Sequence, residues 1–380
     1  MLKYQGKYNF ANVMIDIVEP ELVQQLYSML NHPAFEHGYI AIMPDCHSGA
    51  GSCIGFTKQT NNYVIPNIVG VDISCSVESY NFEQNEFDDR EFKRLENFIR
   101  REIPSGFAVR NQISKEYKES GSFKDIIEEL SHKIGADHAR VKRAIGTLGG
   151  GNHFIELDKD PNENIWLTIH TGSRNFGKKI CEYHQNKAKN LMKEMFIGDA
   201  YKNLEFLPLE HGGQEYLDDM QIAQKYAEMN RTSIVNTIKG FFEKDPIDSI
   251  KTIHNYINFT DNVIRKGAIS AHEGERVLIP LNMRDGVIVG TGKGNPKWNN
   301  SAPHGAGRVL SRTKAKHELS LDKMKEDMTG IWSESISQKT LDEAPEAYKD
   351  SQLIIDAIGE TVSIDFLMKP IYNFKADEED

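Results

Sequence analysis

Two neighbouring stretches, GTLGGGNHFIEL (residues 146–157) and NIWLTIHTGSR (164–174), decide how the chain is read. Each is short, apolar and bounded by glycine or polar residues, so the two read as a strand pair. Each also sets a histidine, His153 or His170, beside a turn of small residues.

Working outward, GYIAIMPD (38–45) and YVIPNIVGVDISCSVESYNF (63–82) read as further strands around a glycine-containing turn. DREFKRLENFIRREIP (89–104) spaces Phe92, Leu95, Ile99 and Ile103 as a surface helix does and stops at a proline. The polar segment Arg110 to Arg143 is helical in pattern but weakly amphipathic, which predicts an excursion from the core. Helices are expected from Lys178 to Phe196 and over 215–244. The second is the longest, with Leu217, Met220, Ala223, Ala227, Ile234, Ile238 and Phe241 on one stripe. RVLIPLNMRDGVIVGTG (276–292) returns to strand character, and the last forty residues alternate helix and strand. Neither a repeat nor a low-complexity linker divides the chain. The expectation is one α+β domain over 1–380, with mixed or antiparallel sheets flanked by helices and a solvated acidic tail, ADEED (376–380).

A composition 39% hydrophobic and 27% charged is that of a soluble globular protein, and no apolar run is long enough for a membrane span. The start, MLKYQGKYNF, lacks the apolar core of a secretory signal, so a cytoplasmic location is expected. Cys46, Cys53, Cys75 and Cys181 form no C-x-x-C pair and read as free thiols. A net charge of −11 argues against sequence-blind adhesion to nucleic acid. Any such contact belongs to a basic patch. From Gly286 to His317 the chain carries six lysines and arginines and no acid, which suggests a local anion site.

The chemistry-bearing residues are scattered, yet each falls at a strand end or in a small-residue turn. Asp72 and Cys75 lie three apart in VGVDISCSV. Asn152 and His153 follow three glycines, His170 precedes a turn with Arg174, and His254 adjoins Asn255. A lone histidine at a strand end is usually structural. Several with a carboxylate and a thiol make a usable set of ligands for Zn, Mn, Fe or Co rather than Mg or Ca. In SAPHGAGR (301–308), His304 stands among small residues that remove steric cover; a turn histidine, a metal ligand and a contact to something bulky all fit there. GTGKGNPK (290–297) lacks phosphate-loop spacing, and no G-x-G-x-x-G or G-x-S-x-G motif is present.

Taken in order, PDCHSGAGSCIGF, VGVDISCSV, GTLGGGNHFIEL, IHTGSRNFG, IHN, RKGA, SAPHGAGRVLSR and EAPEAYKD resemble the RtcB family of RNA ligases. The resemblance implies a central metal- and nucleotide-binding cleft and an enzyme joining an RNA 3′-phosphate or 2′,3′-cyclic phosphate end to a 5′-hydroxyl end, in RNA repair or tRNA splicing. It implies GTP and two Mn2+ ions as cofactors and an archease-like protein as an activating partner. Carried over by motif, Asp72, Cys75, His153, His170 and His254 would bind metal, with Cys75 bridging. His304 would be the nucleophile that takes GMP. Asn152, Glu156, Asn255, Gly305, Ala306, Gly307, Tyr348 and Lys375 would hold the nucleotide, and Arg174 and Arg308 would meet phosphate. Departures include Pro303 before the histidine, Ser76 after Cys75, and PLNMRDG (280–286) in place of a glycine- and serine-containing nucleotide segment. Two rival functions fit the same residues: a metal-dependent 3′-phosphate guanylyltransferase or cyclic phosphodiesterase that does not seal, and a non-catalytic RNA-end-binding protein.

Overall fold

A strand sends alternate side chains to opposite faces, and the seven-stranded sheet at the centre of this protein uses its two faces differently. In the computed structural model, which describes residues 1–83, 86–195 and 201–376, its strands run Asp248–His254, Cys75–Asn81, Ile165–Thr171, Phe154–Lys159, Val362–Lys375, Gly286–Gly292 and Arg276–Asn282. Every neighbour is antiparallel. The two edge strands approach each other, with the Arg276 guanidinium forked onto Asp248 at 2.9 Å and Thr252 Oγ1 3.5 Å from the Leu278 carbonyl. The sheet thereby curls into a near-barrel.

On its inner face Val77, Trp166, Ile250, Leu278, Val287, Val289 and Met368 form one apolar cluster. On its outer face Ile155, Leu157, Ile165, Leu167 and Ile169 pack against Phe92, Leu95 and Ile99 of helix Asp89–Glu102 and against Ile234 and Ile238 of helix Gly213–Phe242. The first helix opens on a capping box made by Asp88 and Glu91, which satisfies backbone donors that the helix leaves unpaired.

A second sheet of six strands, Leu2–Gln5, Phe10–Val13, Ile40–His47, Ile54–Gln59, Val263–Lys266 and Tyr256–Asn258, lies beside the first. Its core takes Leu22 and Leu26 from helix Pro20–Leu30, Phe176 and Ile180 from helix Arg174–Glu194, and Tyr216, Met220 and Ala223 from the long helix. The expected stripe on that helix therefore serves two cores in succession, its first half one sheet and its second half the other.

Two sequence expectations change. The run 63–82 is not continuous strand: Tyr63–Val64 gives way to a short helix, Pro66–Val69, and a turn through Gly70 (φ +89°) and Ser74 (φ +59°) before strand Cys75–Asn81 begins. Pro66 occupies the first helical turn, where its missing N–H costs nothing. Asp72 and Cys75 thus sit at the start of a strand, not its end. The segment 110–143, expected as an excursion, folds into helices Lys115–Lys118, Phe123–Lys133 and His138–Arg143, and Tyr117, Ile127, Leu130 and Val141 join the larger core. The acidic tail lies outside the described residues beyond Ala376.

Candidate functional site

The inner face of the near-barrel turns polar at one rim. Cys75 and His254 are cross-strand partners there, and His170 faces Val77 on the neighbouring strand, one step along. Cys75 Sγ lies 3.1 Å from His170 Nε2 and 3.5 Å from His153 Nε2; His170 Nε2 lies 3.2 Å from His254 Nε2; and His153 Nε2 lies 2.9 Å from Asp72 Oδ2. Two groups of ligand atoms result, Cys75 with His170 and His254, and Asp72 with Cys75 and His153, each within 4.8 Å. Cys75 belongs to both.

Backbone contacts aim these side chains. His153 Nδ1 meets the Leu148 carbonyl at 2.9 Å and His170 Nδ1 the Asn152 carbonyl at 3.0 Å. Each Nδ1–H is thereby used as a donor, and the Nε2 lone pairs face the shared centre. Burial, then neighbouring His153 and His304, keeps His170 far below its ordinary pKa. Burial likewise lowers His254. Burial alone would raise Asp72, but His153 and Arg174 hold it well below the carboxylate range. Neutral imidazoles and an ionised carboxylate are the forms that bind cations. Burial and Asp72 push the Cys75 thiol up, an effect that a bound cation reverses. One sulfur, three nitrogens and a carboxylate make a borderline-soft set that fits a transition metal.

His304 stands next to this cluster, its ring centroid 4.8 Å from that of His254. Its Nδ1 is 2.6 Å from Oδ2 of fully buried Asp45, which also accepts from the His304 backbone N–H at 3.2 Å. Asp45 thus places the ring proton on Nδ1 and leaves the Nε2 lone pair available. A Cβ on Gly307 (φ +76°) would lie 2.1 Å from the Asp45 carbonyl oxygen. This glycine is required by the close approach of its own loop to Asp45.

Two cavities meet at the cluster. One is lined by Asn152, Glu156, His304 to Arg308, Tyr348 and Lys375, with Leu281, Asn282 and Met283 from the PLNMRDG segment on its wall. Its charges are internally matched: Glu343 accepts from Lys375 Nζ and Tyr348 Oη at 2.6 Å each and from Arg308 Nη1 at 3.0 Å. The second cavity carries Asp72, His153, Arg140, Arg174, Lys178 and Arg312. Asn152 and Arg312 line both.

A family model described as tRNA-splicing ligase RtcB matches residues 25–376. The chain belongs to the RtcB family. It is 29% identical to the RNA-splicing ligase RtcB of Escherichia coli strain K12, over 93% of this chain and 94% of that protein. It is 27% identical to the tRNA-splicing ligases RtcB of Methanococcus maripaludis (93% and 91% covered) and Archaeoglobus fulgidus (94% and 91%).

Against that family frame, the structure brings Asp72, Cys75, His153, His170 and His254 into one cluster and sets His304 beside it. Asn152, Glu156, Gly305, Ala306, Gly307, Tyr348 and Lys375 share the first cavity. Asn255 does not line it: its amide accepts from Gly267 N–H at 2.9 Å and reaches the Asp72 carbonyl at 3.4 Å, bracing the turn that carries Asp72. Arg308 lines the cavity, yet its guanidinium is engaged by Glu343 and by the carbonyls of Leu310 and Asp342. The acid-free run Gly286–His317 finds its acids in tertiary contact: Arg308 and Arg312 approach Glu343, and Arg312 and Lys316 approach Asp342. Arg174 is half-buried, with Nη2 on the Gly106 carbonyl at 3.1 Å and Nη1 3.5 Å from His153 Nδ1. Asp45 and Glu343 are the residues that sequence reasoning missed.

Proposed function

We propose that this protein is an RNA ligase that joins an RNA 3′-phosphate or 2′,3′-cyclic phosphate end to a 5′-hydroxyl end, using GTP and Mn2+, through GMP carried on His304. The observation that carries the reading is the Asp45–His304 pair beside the ligand cluster. The carboxylate fixes the imidazole in the tautomer whose Nε2 can attack phosphorus. Attack on the α-phosphorus of GTP forms the P–N bond as pyrophosphate leaves. A 3′-phosphate oxygen of the RNA, already free or released when water opens a 2′,3′-cyclic phosphate to a 2′-hydroxyl and a 3′-phosphate, then takes the GMP and frees His304. The 5′-hydroxyl oxygen attacks the activated 3′-phosphorus, its proton is lost, and GMP departs.

Asp72, Cys75, His153, His170 and His254 would hold two Mn2+ ions, with Cys75 shared; bound there, the ions would offset phosphate charge during displacement. Asn152, Glu156, Tyr348 and Lys375 would receive the nucleotide, Asn255 would act through the Asp72 turn, and Arg174 and Arg308 would serve the phosphates. No helix among the described residues is long and apolar enough to cross a membrane. Action on cytoplasmic RNA, with an archease-like activator, completes the reading.

Incubation with α-labelled GTP and Mn2+ tests it. Label should remain on the protein in an acid-labile, alkali-stable bond, His304→Ala should abolish it while keeping the metal, and the wild type should seal RNA bearing 3′-phosphate and 5′-hydroxyl ends. Efficient sealing with no labelled intermediate would remove His304 from the role of nucleophile. A 3′-GMP-capped strand that never seals would favour a guanylyltransferase.

A further inference from the structure

We propose that Phe107 is a stacking platform for one unpaired RNA base, held in the second cavity one step along from the metal-binding cluster. The proposal rests on the RNA-ligase reading and adds a subsite to it.

Among the described residues no large apolar side chain is more exposed than Phe107, at 75%. An aromatic ring left in water contributes little to folding, yet the backbone beneath it is tied down. Gly106 N–H donates to the Gly149 carbonyl at 3.1 Å, Leu148 N–H to the Pro104 carbonyl at 2.9 Å, and Ala108 N–H to the Ser105 carbonyl at 3.0 Å. Arg174 Nη2 donates to the Gly106 carbonyl at 3.1 Å, and Arg140 donates to that of Phe107. The ring is therefore presented on an anchored loop.

Its surroundings identify the occupant. The cavity that Phe107 lines also holds Arg140, Arg174, Lys178 and Lys179, and it runs to Asp72 and His153. The connection is short, since Arg174 touches the Gly106 carbonyl with one nitrogen and lies 3.5 Å from His153 Nδ1 with another. Cations alone would attract any polyanion. A flat apolar face among cations suits a chain of alternating phosphates and bases, whose bases stack on aromatics irrespective of sequence. A duplex buries those faces against its own neighbours, so the ligand is single-stranded next to the joined end.

The test is equilibrium binding of short single-stranded RNAs, 3′-phosphorylated in one series and 5′-hydroxyl in the other, each with an abasic nucleotide at one position. Wild-type affinity should fall about ten-fold at one position near one end. Phe107→Ala should bind intact RNA about ten-fold more weakly and lose that positional sensitivity; Phe107→Trp should restore both. Metal content, measured alongside, should be unchanged in both variants. Equal affinity of wild type and Phe107→Ala, or a loss in Phe107→Ala that keeps the abasic sensitivity, overturns the platform while sealing by the wild type preserves the ligase reading. If the wild type binds neither RNA series, both proposals fall. If Phe107→Ala binds RNA normally and instead loses a protein partner, the platform is likewise overturned.

Discussion

The metal-ligand cluster and the first cavity lie a few residues apart on the same strands, yet they satisfy their polar atoms in opposite ways. In the cluster, Cys75 Sγ lies 3.1 Å from His170 Nε2 and 3.5 Å from His153 Nε2, and His170 Nε2 lies 3.2 Å from His254 Nε2. In the cavity Glu343 already has its counter-charges in place, set among Lys375, Arg308 and Tyr348. A bound cation would give the sulfur, the imidazole nitrogens and the carboxylate of the cluster one common partner. Matched charges are stable alone, and a ligand must exchange partners to bind. The cluster gathers soft donor atoms at one point, and the cavity pairs Glu343 with its cations in advance.

The comparison breaks most sharply at Cys75. Because it belongs to both ligand groups, Cys75→Ala should lose metal from both and ligation with it, by roughly a thousand-fold or more on the scale of a site that depends on metal to stabilise developing charge. His254→Ala removes a ligand from one group only and should keep part of the metal. Metal analysis of the two purified variants decides this, and full metal content in Cys75→Ala would end the shared-ligand assignment.

Asp45 comes next. Asp45→Asn keeps the shape at His304 but removes the charge that places the ring proton on Nδ1. Transfer of GMP to the protein should slow by about a hundred-fold or more, with metal content unchanged. Its pH–rate profile should change while that of a variant distant from His304 does not. An unaltered labelling rate would reduce the 2.6 Å contact to packing.

These residues also mark how far the sequence could be read. Asp72 and Cys75 stood out by their spacing and the histidines by the small-residue turns and strand ends beside them, although the strand at Cys75 begins where the sequence suggested an end. Asp45 follows the apolar run IAIMP inside strand Ile40–His47 and reaches His304 across 259 positions; the local signal was one carboxylate within a buried strand. Glu343 was hidden for a related reason, although a basic run without acids already implied compensation from elsewhere. The segment 110–143 differs again: its helices were legible but their packing was not, since few apolar residues, Tyr117, Ile127, Leu130 and Val141, suffice to bury one side of a polar segment.

In the cavity the expected effects are on stability. Burial would raise Glu343, but Lys375, Arg312 and Arg308 hold it at about 2. A depressed carboxyl stabilises the fold fully above its unfolded pKa, and the contribution is lost as pH falls from there through about 2. Glu343→Gln leaves buried Lys375 and half-buried Arg308 without their counter-charge and should cost about 3 kcal/mol near pH 7, read as a lower urea midpoint. The deficit should shrink as pH approaches 2. A deficit constant down to that pH would show that the charge is not the cause.

The smallest effect concerns the pair behind the cavity wall, where the sign reverses. Glu156 and Asp158 are two apart on strand Phe154–Lys159, so both side chains point inward, and both are buried. Asn373 Nδ2 donates to Glu156 at 2.5 Å and Thr168 Oγ1 to Asp158 at 2.5 Å. Asp158 Oδ1 remains buried without a donor, a shortfall that a proton shared by the carboxyl pair would relieve. Burial and mutual repulsion raise the Glu156 pKa, and burial raises that of Asp158. The folded pair therefore keeps a proton that the unfolded chain releases near pH 4, and stability declines as pH rises from there through the raised titration. Asp158→Asn leaves the burial of Glu156 but removes the repulsion, so Glu156 ionises more readily, and the decline should flatten by about 1 kcal/mol between pH 5 and 8, on the scale of 1.4 kcal/mol per pKa unit. Urea midpoints of wild type and variant at the two pH values measure it. Parallel pH dependences would mean that the two carboxyls share no proton, and Glu156 would then face the cavity as a carboxylate ready to accept two N–H groups of a guanine.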